Sequence, residues 1–407
     1  MVMFADGAMQ RGRAPAQVDW SRLWLVAIAS LLTVEVAFFA QGIREHQWLI
    51  DAAGAPLCRD FSVFWASGRF AFQGVAHQAY DWSVTRNLLL EAGMAPDCTM
   101  PMFYPPAFLL LLAPFGAAPF VWAAEAWIVG TVAAYLFAVR LAVREPKWLM
   151  LALAAPGVMA CAAVGQNGLL TAGLALAGLS LIDRRPVLAG VLLGLLAYKP
   201  QFGIMLPVAL LAAGRWKTVV GAAASVAAGV IGAGLVFGWS IYPQFLQAMA
   251  WAGDNIIQAG ALADFKQQSV HALARRLGAG AELAWVAQGL VMLLCAAGVT
   301  WIWRSAADWK LRSAGLLTAM FAASPYSGIY DFPVLAAAAV LLFSRLDGRV
   351  TSAEGALLLG GYLAPLAYGT APGPIGPFAC ASLAWVIIRQ ARQRASNETD
   401  CLRASPA

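Results

Sequence analysis

Long apolar stretches with few charges recur from one end of this chain to the other. They fall at about 23–41, 104–117, 119–140, 148–164, 167–182, 186–198, 200–213, 216–239, 281–303, 313–325, 331–346, 353–370 and 374–389. No soluble core can hide so many. Of the 407 residues, 61% are hydrophobic and 12% charged, against about 25% charged in soluble domains. Hydrocarbon offers no partner to an unpaired peptide group, so segments of this length cross as helices. The pattern predicts an all-α, polytopic integral membrane protein: a bundle of about 12–13 hydrophobic segments. Short ones such as 104–117 and 186–198 read as half-helices or re-entrant pieces.

The formal charge of +6 does not imply nucleic-acid binding, because Lys and Arg sit in short turns between apolar segments. There they set orientation. The N-terminal arginines, Arg140/Arg144/Lys147, Arg184/Arg185, Arg215/Lys217, Arg304/Lys310/Arg312, Arg345/Arg349 and the tail are expected on the cytoplasmic side. One conflict follows: if 104–117 and 119–140 both cross, Arg140 emerges on the wrong side. Residues 1–20 read as a disordered cytoplasmic tail, 21–390 as one transmembrane domain and 391–407 as a second tail. Two large loops, 42–103 and 240–280, face outward. The first carries two short amphipathic helices, 61–73 and 82–93, with aromatics suited to the interface. Segment 23–40 contains Glu35 and has no small-residue cleavage site, so it reads as a span and not a signal peptide.

This orientation gathers the unusual polar residues on the outward face. Asp60 (in Cys58-Arg59-Asp60), Tyr104, Gln166, Asn167, Lys199, Gln201, Gln267, Gln268, Ser269, His271, Tyr330 and Asp331 all lie in or beside outward turns. Polar groups near hydrocarbon are costly and commonly mark a site. Lys199 lies outward against the charge rule, directly before the helix-breaking Pro200. The plain alternative for Asp60 is that it caps a helix starting near Phe61. Glu35 and Glu125, inside apolar segments, read as buried acids. Cys58 and Cys98 share the first loop and would be placed to pair in an oxidising compartment. No Cys/His cluster points to a metal, no cofactor is required, and no soluble-enzyme motif is present.

The order of motifs resembles glycosyltransferase family 87: an Asp soon after the first span, Tyr80-Asp81, Tyr104-Pro105-Pro106, Gly165-Gln166-Asn167, Lys199-Pro200-Gln201, Gln267-Gln268-Ser269, and Ser324-Pro325 with Tyr330-Asp331. The resemblance covers about 20–390. Two departures, Tyr326 where many relatives carry His and Gln267 where Asn is common, bear on sugar specificity. The family implies a GT-C-type bundle in the bacterial inner membrane with a periplasmic site. It also implies transfer of a hexose, mannose first, from a polyprenyl-phosphate sugar to an envelope lipid or glycan. Asp60 matches the loop-one catalytic acid and Asp331 a second acid. Lys199, then Arg59 and His271, are expected at the donor phosphate. Tyr104, Gln166, Asn167, Gln201, Gln268, Ser269, Tyr330 and Trp65 are expected on sugar, acceptor or prenyl chain. The rival class is a transporter or flippase of lipid-linked sugars, which would place ionisable residues near the bilayer centre. A third is a non-catalytic scaffold, which would not need them to converge.

Overall fold

A computed structural model describes residues 20–98, 101–252, 266–347 and 350–404, with side chains at all of these but 20–25, 252 and 394–404. The expected tail over 1–20 (Trp20 apart), the middle of the second outward loop and the last residues of the C-terminal tail lie outside the described part. The described chain is all-helical, with isolated bridges Ile50–Pro56 and Gln267–Gly328 as its β-type pairings.

In chain order the helices are α1 (Trp20–Arg44), α2 (Phe61–Phe72), α3 (Trp82–Glu91), α4 (Pro106–Gly116), α5 (Phe120–Ala142), α6 (Pro146–Leu153) and α7 (Pro156–Val164). Then follow α8 (Gly168–Leu181), α9 (Pro186–Gly194), α10 (Pro200–Gly203), α11 (Met205–Ala212), α12 (Trp216–Phe237) and α13 (Ile241–Ala252). The rest are α14 (Val270–Arg276), α15 (Ala281–Arg304), α16 (Trp309–Ala323), α17 (Pro333–Leu346), α18 (Ser352–Leu363) and α19 (Gly376–Ala404). Proline cuts the apolar sequence into these pieces: α4, α6, α7, α9, α10 and α17 all begin on one. The missing N–H costs nothing at a first helical position but stops the preceding helix.

Crossing the hydrocarbon takes about 20 residues. Val26–Arg44, Phe120–Ala142, Trp216–Phe237, Ala281–Arg304 and Ile329–Leu346 are long and apolar enough. The pair α6–α7 is apolar enough taken together but is bent by 54° at the break between its helices. The expected segments 104–117, 167–182, 186–198 and 200–213 are shorter apolar helices, 313–325 and 353–370 hold helices of 15 and 12 residues, and 374–389 opens the 29-residue α19. At the centre lies α17, nearly every residue of which is buried against α16, α8, α18 and α6.

The conflict over Arg140 resolves at α4. With 11 residues it reaches about 16 Å, too short to cross. It lies instead along α2, where two glycines meet: a Cβ on Gly68 would stand 2.3 Å from the Leu112 carbonyl oxygen, and one on Gly116 2.1 Å from the Arg69 nitrogen. The described residues of 61–98 and 101–119 therefore stay at one end of the bundle, and α5 carries the chain to the other.

Charged turns collect at that other end. Lys147 pairs with Glu145 at 2.9 Å and Asp347 at 2.8 Å, Arg345 with Asp308 at 2.6 Å, and Arg215 with Asp183 at 2.7 Å. Two expectations are corrected. Helix 61–72 is buried on nearly all sides, not laid in the interface, because α4 and the first turns of α5 enclose it. Glu125 is exposed, because α5 begins at Phe120 and its second turn is still near the bundle end. Glu35 is buried as expected.

Candidate active site

Asp60 stands immediately before α2, where an Asp ordinarily caps. Its backbone is helical (φ −58°, ψ −27°) and its side chain makes no capping hydrogen bond. Asp81 and Ser269, by contrast, accept hydrogen bonds from the first N–H groups of α3 and α14. The Asp60 carboxylate turns inward, 7% exposed. Oδ2 accepts from Gln166 Nε2 at 3.3 Å and Oδ1 meets the Lys266 ammonium at 3.1 Å. The capping alternative does not hold.

The Gly165–Gly168 turn supplies Gln166 and Asn167. Gly165 closes α7 with φ +66°, and a Cβ there would sit 2.7 Å from Phe61 Cβ. Gly168 opens α8 against the Tyr330 carbonyl, 1.8 Å from where its Cβ would be. Both positions therefore require glycine. Gln166 Oε1 accepts from the Tyr104 hydroxyl at 3.2 Å and from Asn167 N at 2.8 Å. Burial, with the Asp331 carboxylate adding to it, holds the Tyr104 hydroxyl well above its ordinary pKa, so it remains a donor.

Behind this layer Lys199 is enclosed. Its ammonium contacts Asp331 Oδ1, lies 3.0 Å from Asn167 Oδ1 and faces the Tyr330 ring at 5.5 Å. Lys199 is 2% exposed and Asp331 0%. Asp331 Oδ2 accepts from Gly328 N at 2.9 Å. Asp60 and Lys199 thus share one end of the bundle, joined through Gln166 and Asn167.

A short ladder ties the later loop to this cluster. Gln268 N donates to Ser327 O at 2.7 Å and Ile329 N to Lys266 O at 3.0 Å. The pairing places Lys266 over Asp60 and the Asp331 turn beneath it. Lys266, whose side chain is 38% exposed, is the member that sequence reasoning missed. The signal was present: it is a lysine in an outward loop, against the same charge rule that drew attention to Lys199.

Several expected residues have other work. Trp65 is packed on Phe120 and donates to Ala118 O at 3.0 Å; buried there, it does not face a sugar. Ser269 caps α14, and Gln268 Oε1 accepts from Ile375 N at 2.8 Å and Gly376 N at 3.1 Å, fastening the start of α19. Arg59 donates to the Trp48 and Gln47 carbonyls and so holds the incoming loop. His271 packs against Trp285, with ring centroids 4.6 Å apart and planes inclined at 45°. Burial, then the nearby Arg275, lowers its pKa, so it is no standing cation. Gln201 is half-buried beside Lys199 on α10. Cys58 and Cys98 are joined in a disulfide, with Cα atoms 5.5 Å apart.

The arrangement offers one buried carboxylate, a half-exposed ammonium lying over it, and an enclosed ion pair beneath both. Nothing among curated proteins or among solved structures matches the chain. A family model, glycosyltransferase family 87, matches residues 103–325, from the Tyr104 loop through the Ser324-Pro325 turn. Since that match spans more than half of its length, the chain belongs to glycosyltransferase family 87 and is a membrane glycosyltransferase.

Proposed function

We propose that the chain moves a hexose, mannose first, from a polyprenyl-phosphate sugar to an envelope lipid or glycan acceptor. The reaction takes place at the outer face of the bacterial inner membrane. The acceptor hydroxyl attacks the anomeric carbon while Asp60 takes its proton. The sugar–phosphate C–O bond breaks, and polyprenyl phosphate leaves with the electron pair. Direct displacement inverts the anomeric centre. The observation that carries this reading is Asp60 itself: a carboxylate at a helix start that caps nothing and instead turns into the cluster of Gln166, Lys266 and their neighbours.

The contacts of the two lysines support roles other than those first expected. The Lys199 ammonium is occupied by Asp331 and Asn167, so we assign it to holding the turn that carries Gln166 and Asn167. Asp331 holds Lys199 in turn. Lys266 is the cation placed to leave Asp60 and meet the departing phosphate, which frees Oδ1 as the charge appears. Asn167 Nδ2, buried with no hydrogen-bond partner among the described residues, is left for an incoming oxygen. A lipid-borne donor is supported by an apolar groove of about 390 Å³ between α15, α16 and α19. It begins at Gln268–Val270, directly after Lys266, and runs toward Trp301 and Ile388.

Asp60→Asn keeps the shape and removes the base. Transfer from a radiolabelled polyprenyl-phosphate mannose donor should fall by a factor on the order of 10² or more. Near-normal transfer by a well-expressed variant overturns the assignment.

A further inference from the structure

Beside the Asp60 cluster, the same end of the molecule holds a second hollow, of about 670 Å³. One wall is α13, which contributes Gln244, Gln247, Ala248 and Trp251. That i, i+3, i+4, i+7 spacing puts all four on one helix face. The other wall is the 3₁₀ turn Ala76–Tyr80 with the start of α3, contributing Gln78, Asp81 and Trp82.

The lining has a definite chemical character. Trp82 and Trp251 present indole rings 6.3 Å apart, inclined at 33°, and both are partly exposed. Around them stand three side-chain amides, the His77 imidazole, the Ser83 hydroxyl and the Asp81 carboxylate. Gln244 Oε1 is buried and accepts no hydrogen bond among the described residues; leaving it so costs roughly 1–3 kcal/mol. A purely apolar ligand would strand the amides, and an anion would meet Asp81. A neutral ring with apolar C–H faces and peripheral hydroxyls satisfies both the indoles and the amides.

We propose that this hollow is a glycan subsite, holding a hexose unit of the acceptor away from the reacting hydroxyl. It rests on the glycosyl-transfer reading above. Tyr80 lines the hollow and donates to the Tyr104 carbonyl at 2.8 Å. Tyr104 in turn donates to Gln166, which holds Asp60. The hollow and the catalytic cluster therefore share a wall, and a glycan extending from the site meets the two indoles.

The test is saturation-transfer NMR on purified Asp60→Asn protein in detergent, titrated with mannotriose, cellotriose and maltotriose. At least one trisaccharide should bind saturably. Trp82→Ala and Gln247→Ala should each weaken that binding, the former about tenfold. Gln247 is exposed, so its replacement keeps the test informative if Trp82→Ala fails to fold. No binding by any of the three, or binding unchanged in both variants, overturns the subsite; the tryptophans then serve only the lipid–water boundary. Working in the Asp60→Asn background separates the two failures. Absent binding alongside abolished transfer overturns the subsite alone, whereas binding alongside retained transfer overturns the Asp60 assignment alone.

Discussion

Lys199 and Asp331 illustrate how a buried pair constrains its neighbours. Each is almost completely enclosed, so removing one strands the other's charge. Lys199→Met should destabilise the protein by about 3–5 kcal/mol, whereas Lys199→Met with Asp331→Leu should recover much of that loss. Thermal unfolding in detergent measures both, and a single variant as stable as the parent would count against the pair. Lys266 lies at the surface of the same cluster and should behave differently. Lys266→Gln should leave unfolding unchanged and reduce donor use about tenfold to a hundredfold, the value of a hydrogen bond to a charged group. Steady-state kinetics with varied donor reads that loss. At this scale the sequence was informative about identity and weaker on role. Asp60, Tyr104, Gln166, Asn167, Lys199 and Asp331 were chosen as polar residues near lipid, and they converge. Ser269 and Gln268 meet the same criterion, yet each is consumed by a backbone group, as are Arg59 and Trp65, which were expected on donor phosphate and sugar. Which partner a polar atom finds depends on chain segments distant in sequence, and one sequence does not contain that pairing.

Among the elements, the packed pair α2–α4 governs where the Asp60 loop lies. Its closest approach depends on Gly68 and Gly116. Gly68→Val would drive a side chain into the Leu112 carbonyl and should cost about 1–3 kcal/mol or more, with a matching fall in transfer as Asp60 shifts with α2. Asp81→Ala removes the cap of α3 and should cost about 1 kcal/mol. Unfolding midpoints measure the two side by side, and equal effects would contradict the ranking. Helix positions were largely legible, because proline at a helix start is a local signal. The burial of 61–72 was not: its aromatics suit an interface as well as a core, but Arg69 lies over the Trp65 ring at 5.6 Å and Ser62 and Ser67 are buried in the packed face.

For the whole molecule, the two ends of the bundle differ in chemistry. One gathers the acids, amides and enclosed lysine of the site; the other gathers Lys147, Arg345, Arg215 and their partners. In a variant lacking the free cysteines, a thiol at Gln247 should react with an impermeant maleimide in intact cells. One at Arg184 should react only after permeabilisation, and the reverse result would invert the proposed orientation. The charge rule anticipated this division, since loop lysines and arginines act one at a time and need no tertiary detail. It could not anticipate that α4 stays at one end, because apolar content does not distinguish a crossing helix from one folded back on a neighbour.

The disulfide between Cys58 and Cys98 bears on when the enzyme becomes competent. It fastens the backbone two residues ahead of Asp60 to the turn that follows α3, so the carboxylate proposed as the base should acquire its position only after these thiols have been oxidised. Newly inserted chains in a host without thiol-oxidising machinery should accumulate in the bilayer as inactive precursors. Maturation would then be an event of the receiving compartment, later than synthesis and separate from insertion.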